Sequence, residues 1–212
     1  MCEMAMNPAN LAALLEKFER GNALLASGDE SGAAQLWREA GDAGLAQGYM
    51  ELASQAMQQG RKDEAEKWVS RMEEMAASND GDELTHVSCY LAYEFHLGSG
   101  SVEQQIARGT EHLRRAAELG SSTAQALLAG CYRRGYGGLA KDPGLYEFWA
   151  SKAIDQGDID ALCSYVERTL KDGRLVSPEL RSKVETAAES SCRAADVLNQ
   201  LRRPGGASGS EF

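Results

Sequence analysis

Four side chains able to ligate a metal or move a proton recur at helical spacing between positions 86 and 96: His86, Cys89, Tyr93 and His96. At about 100° per residue they fall within an arc of about 80°, so a helix here carries them as one stripe. Three readings compete for that stripe. Imidazole and thiolate are zinc or copper ligands, which makes His86, Cys89 and His96 the candidate set of a metal- or redox-responsive module. Helix geometry counts against it, because His96 lies roughly 10 Å farther along the axis than Cys89 at 1.5 Å per residue, too far for one ion to bridge easily. Aromatic, Met and Arg side chains on an open helix face are also the usual anchors of protein partners. The plainest reading is partly buried packing between neighbouring helices.

The rest of the chain offers little catalytic material. It has three histidines, His86, His96 and His112, and no metalloprotease helix motif, nucleophile elbow, EF-hand loop or dinucleotide fingerprint. Glu73-Glu74, Asp80 with Asp82, and Glu185 with Glu189 are carboxylate clusters of the kind found on solvated helix faces and loops. Two Gly-x-Gly stretches, Gly98 to Gly100 and Gly135 to Gly137, invite a phosphate-loop reading. No strand pattern precedes either, no Lys-Ser or Lys-Thr follows, and glycine is enough to end a helix and redirect the chain. The expectation is a protein that is not an enzyme and needs no cofactor or metal.

Charge narrows the partners. A formal net charge of -10 and a pI near 4.9 disfavour a phosphate backbone or an anionic membrane as the main ligand. No apolar run approaches the roughly 18 to 20 residues that span a bilayer, and no basic leader opens the chain, so the predicted location is cytoplasmic. Cys2, Cys89, Cys131, Cys163 and Cys192 form neither an even set nor a CxxC pair, which suits reduced thiols packed as small apolar residues.

The elements that position these residues are helices throughout. Ala, Leu, Glu and Gln abound, the chain has four prolines, and strand-like alternation is absent. The pattern also repeats. Ala124, Leu128, Ala129, Tyr132, Gly135, Gly137, Asp142, Trp149, Lys152, Ala153 and Gly157 form a series, and Leu91, Ala92, Phe95, Gly98, Gly100, Ala116 and Gly120 echo it 37 residues earlier. A period of that size, with small and large apolar residues at helical spacing, marks stacked helical hairpins. Gly21, Ala33, Trp37 and Ala40 show the small-small-large-small spacing of a tetratricopeptide repeat, although Lys17 and Arg20 stand where large apolar residues are expected.

On these residues the chain resembles the Sel-one-like repeat (SLR) family, most strongly over 83–157, with a shorter, tetratricopeptide-like turn replacing the glycine loop between Pro8 and Gly81. One residue more than the family pattern separates Gly137 from Asp142, which enlarges the loop and leaves the hairpin intact. The resemblance implies an all-α, right-handed α-α superhelix of about five hairpins. The predicted units are 8–44, 45–81, 82–120, 121–157 and 158–202, forming one domain over 7–202. The last unit closes with a capping helix from Pro178 to about Arg202. Residues 1–6 are expected to be flexible, Ser78 to Asp82 a loop, and 203–212 a disordered tail resembling a cloning remnant. In function the resemblance implies a non-catalytic scaffold or adaptor that binds a protein or peptide in a concave groove, or an immunity-like partner that neutralises a secreted effector. A helical-repeat RNA binder is the rival that the acidic balance disfavours. By the hairpin spacing, Met50, Met57, His86, Tyr93, His96 and Arg133 are the predicted partner contacts.

Overall fold

A computed structural model of the chain describes residues 8–78, 82–94 and 97–202. These form eleven α-helices: α1 (Pro8–Ala26), α2 (Glu30–Asp42), α3 (Ala46–Gln58), α4 (Lys62–Ala77), α5 (Glu83–Glu94), α6 (Val102–Leu119), α7 (Ser122–Arg134), α8 (Pro143–Asp155), α9 (Ile159–Lys171), α10 (Pro178–Ala187) and α11 (Cys192–Arg202). No strand occurs among the described residues. The N-terminal stretch 1–6, most of the loop after Ser78, Phe95, His96 and the tail 203–212 lie outside them. No described helix is long and apolar enough to cross a membrane.

Most of the helices begin where a short side chain satisfies an orphan backbone N–H, whereas α3 and α4 start at Leu45 and Arg61 without a side-chain cap. Asp29, Asp82, Asp142 and Asp158 accept from the N–H three residues ahead at 2.7 to 2.9 Å. Ser121 and Ser177 do the same at 3.4 and 3.2 Å. Each such cap contributes about 1 kcal/mol. At its far end α7 stops on Gly135, whose φ of 72° is the left-handed conformation and whose N–H reaches the Cys131 carbonyl at 2.8 Å. Gly98 serves a different need, since a Cβ there would come within 2.5 Å of the Tyr93 ring.

The chain divides into two compact units, residues 1–119 and 120–212. In the first, α1 with α2, α3 with α4 and α5 with α6 pack as helical hairpins, and α3 also packs on α2 and α5. Ala33, Ala53, Ala56, Ala65 and Ala92 are wholly buried, so helix axes approach closely, and Trp37, Tyr49, Trp68 and Met72 fill the space between them. The Trp37 indole donates to Asn22 at 3.0 Å. Gly21 leaves room for it, because a Cβ at that position would meet the indole at 2.7 Å. Tyr49 stacks on Trp68 with centroids 5.5 Å apart.

In the second unit α7 and α8 form a hairpin, and α9 packs on α8, α10 and α11. Leu162, Val166, Val184, Val197 and Ala194 make its core. Trp149, 9% exposed, lies under the Lys152 ammonium at 5.3 Å. The single capping helix expected from Pro178 to Arg202 is instead two helices. Serine chemistry accounts for the break: Ser190 Oγ donates to the Ala187 carbonyl at 3.4 Å, and Ser191 Oγ accepts from the Ala194 N–H at 3.3 Å, starting a new helix.

Candidate functional site

The stripe on α5 is turned inward. His86 is 7% exposed, Cys89 0% and Tyr93 1%. His86 Nδ1 lies 3.0 Å from Nδ1 of His112 on α6, so one ring N–H faces the other ring's lone pair. Tyr93 stacks on the same His112 ring, centroids 6.0 Å apart and planes 15° from parallel. Its hydroxyl donates to Glu73 of α4 and accepts from Arg108 of α6. His86 and Tyr93, predicted as partner contacts, are placed in a polar cluster inside the first unit. Periodicity on one helix gives a stripe and not its surroundings, and α4 and α6 close over this one. The sequence reading missed Glu73, Arg108 and His112. The signal available was Gly109, three residues before His112, where a Cβ would come 3.0 Å from Tyr93 Cβ.

Burial sets the chemistry of this cluster. The Cys89 thiol is pushed up to about 12 by burial and by the Glu73 charge, so it is protonated at neutral pH and a poor nucleophile. Burial and the bond to Glu73 also push the Tyr93 hydroxyl up. Burial first, then His86, pushes His112 below the ordinary imidazole value. Among the described residues, no group of three or more His, Cys, Asp or Glu side chains is placed to hold a metal. His96 lies outside those residues.

The other predicted contacts are more accessible. Met50 and Met57, both on α3, are half-buried against the core of the first unit. Arg133 is exposed and belongs to the second unit, where it lines a groove of about 210 Å³ over α7, α8 and α9. Small residues make the groove floor: Ala126, Ala129 and Gly130 from α7, Ala150 from α8 and Ala161 from α9. Arg133, Arg134, Tyr146 and Asp160 edge it. Tyr146 stacks on Tyr165 at 5.8 Å, which holds the rim ring in place. Its hydroxyl is pushed up by burial, while Arg133, Arg168 and Arg174 pull the other way. A wider opening of about 530 Å³ lies between the α8–α9 turn and α10, floored by Ile154, Ile159 and Leu162 and crossed by the Lys183–Asp155 pair at 2.9 Å. Sequence reasoning had no signal for that second opening, which depends on how α10 leans on α9.

No protein-family model matches the chain, and no curated protein sequence matches it. Solved structures do. A Sel1 repeat protein from Oxalobacter formigenes is 20% identical with a TM-score of 0.57, the match covering 84% of this chain and 73% of that one. The antigen c5321, a protective antigen of uropathogenic Escherichia coli with an SLR fold, is 18% identical with a TM-score of 0.39, over 91% of this chain and 57% of that one. Four helical hairpins followed by α9 to α11 among the described residues, small residues at the crossings and the likeness to the Oxalobacter protein give this chain an SLR-like helical-repeat fold.

Proposed function

We propose that the chain is a non-catalytic protein-interaction module and that the groove over α7, α8 and α9 holds a segment of its partner. One observation carries this reading: Arg133 and Arg134 stand on the rim of a small-residue groove with no carboxylate within 4.0 Å among the described residues, beside a ring pair already held by stacking. A floor of Ala and Gly lets a partner backbone come close, and a rim that is ordered beforehand limits the entropy lost on binding. The chemically capable residues of α5 support it from the other side, since His86, Cys89 and Tyr93 are committed to internal contacts. Met50 and Met57 are the accessible candidates of the first unit.

The test is affinity capture from the native cell extract with wild type beside a Gly130→Leu/Arg133→Ala variant. A Cβ at Gly130 meets nothing closer than Arg134 Nη2 at 3.6 Å, so leucine fills the groove without pushing on the backbone. A protein retained by wild type and lost from the variant, with unchanged thermal unfolding, is the expected result. Equal retention would place the binding surface elsewhere.

A further inference from the structure

Charge is divided unevenly between the two units. Residues 1–119 hold 10 basic and 20 acidic side chains, and residues 120–212 hold 12 of each. The whole excess of negative charge therefore belongs to the first unit. Inside the balanced second unit most cations near the groove are already matched. Arg168 pairs with Asp172 at 2.7 Å, and Arg174 with Glu147 at 3.0 Å. Asp160, the one carboxylate on the groove lining, is held by Arg193 at 2.6 Å, and Arg193 also reaches Glu167. Arg133 and Arg134 are left over, adjacent on the last turn of α7 and both on the lining. A helix C-terminus favours cations. That accounts for basic residues on this turn and not for a groove beside them whose carboxylate is already neutralised.

We infer that the segment held in this groove is acidic, with carboxylates pairing to the Arg133 and Arg134 guanidinium forks. The inference rests on the groove reading above and adds the chemistry of the occupant. Guanidinium is suited to it, because its planar fork meets a carboxylate with two parallel hydrogen bonds, which an ammonium cannot do. Potential adds to geometry: Arg133, with no carboxylate partner among the described residues, also acts on the Tyr146 hydroxyl, so an unmatched positive charge sits on the groove lining of an acidic protein. The acidic first unit also repels an acidic segment at long range, so selectivity comes from the groove and not from net charge.

The experiment uses the full chain and capped octapeptides of alternating Glu and Ala, with Gln and Ala as the neutral control, followed by backbone and Arg Nε–H NMR resonances. The expected result is that the Glu peptide shifts Arg133, Arg134 and Gly130, that the Gln peptide binds about five- to tenfold more weakly, and that added salt narrows the gap. Arg133→Glu/Arg134→Glu should abolish the Glu-peptide shifts, and Arg133→Gln/Arg134→Gln, which removes charge without reversing it, should reduce them. Equal binding of the two peptides in the groove would overturn the acidic inference and leave the groove reading standing. No shift at the groove with either peptide would overturn the inference too, and the capture experiment then decides the groove reading separately. An oligouridine that binds the groove more tightly than the Glu peptide would overturn it in favour of a phosphate backbone.

Discussion

Gly48 is where one added methyl group should do most damage. It is the third residue of α3 and lies against α2. A Cβ there would overlap the Trp37 carbonyl oxygen, with the carbonyl carbon at 3.1 Å and the Gly41 nitrogen at 2.9 Å. All are backbone atoms of α2, so no side chain can swing aside. Ordinary carbon contacts sit at about 3.5 to 4.0 Å, and restoring them requires the two helices to part by about 1 Å. Trp37 and Tyr49 pack in that crossing and would loosen with it. Alanine gains up to about 1 kcal/mol of helix propensity over glycine, while overpacking costs about 1 to 3 kcal/mol and more where the surroundings are rigid. The expected net loss for Gly48→Ala is about 2 kcal/mol. At about 4 to 8 °C per kcal/mol for a unit of this size, its unfolding midpoint should fall by about 10 °C. Gly130→Ala is the internal control. It lies in α7, where a Cβ meets only Arg134 Nη2 at an ordinary contact distance of 3.6 Å, so it should stabilise the second unit by about 0.5 to 1 kcal/mol. Scanning calorimetry on both variants checks the pair. A Gly48→Ala midpoint at or above wild type would refute the crossing geometry, and a lowered Gly130→Ala midpoint would refute the open groove floor.

Two further outcomes follow from the polar cluster and the thiols. The folded state keeps His112 neutral below its ordinary pKa, with Glu73 and Glu111 pulling weakly the other way, whereas the unfolded chain takes the proton as pH falls through about 6.5. The stability this contributes is complete above that pH and is lost as pH drops toward the lowered folded value. The first unit should melt higher at pH 7.5 than at pH 5.5, and His112→Phe, which keeps a ring against Tyr93 but cannot be protonated, should flatten that slope; an equal slope in the variant would sink the argument. In a Cys2→Ser background, Ellman's reagent should modify one thiol quickly, the exposed Cys192, because Cys89, Cys131 and Cys163 are buried. A second fast thiol in the folded protein would contradict the packing around one of these three.

Local features were legible from the residues alone. Gly-Asp at 28–29, Ser-Pro at 177–178 and Asp-Pro at 142–143 encode helix ends, because a cap and the first turn depend on neighbours three residues away. The small-small-large-small spacing around Trp37 encodes a hairpin for the same reason, since both helices are near in sequence. All-helical class and an SLR-like fold follow from repeating such units. The Ser190-Ser191 break was present in the sequence too, but an apolar face running past it masked the competition for backbone groups.

Tertiary structure decided what periodicity cannot. One helix's pattern shows that His86, Cys89 and Tyr93 share a face, yet whether that face meets solvent depends on α4 and α6, which bring Glu73, Arg108 and His112 over it. The groove at Arg133 likewise needs α8 and α9 beside α7, and the spare charge on Arg133 and Arg134 is visible only once Arg168, Arg174 and Arg193 have been assigned their carboxylates. Hydrogen-bond caps and crossing glycines act over a few residues and so are written along the chain. Burial and charge matching are sums over neighbours that only the folded chain brings together.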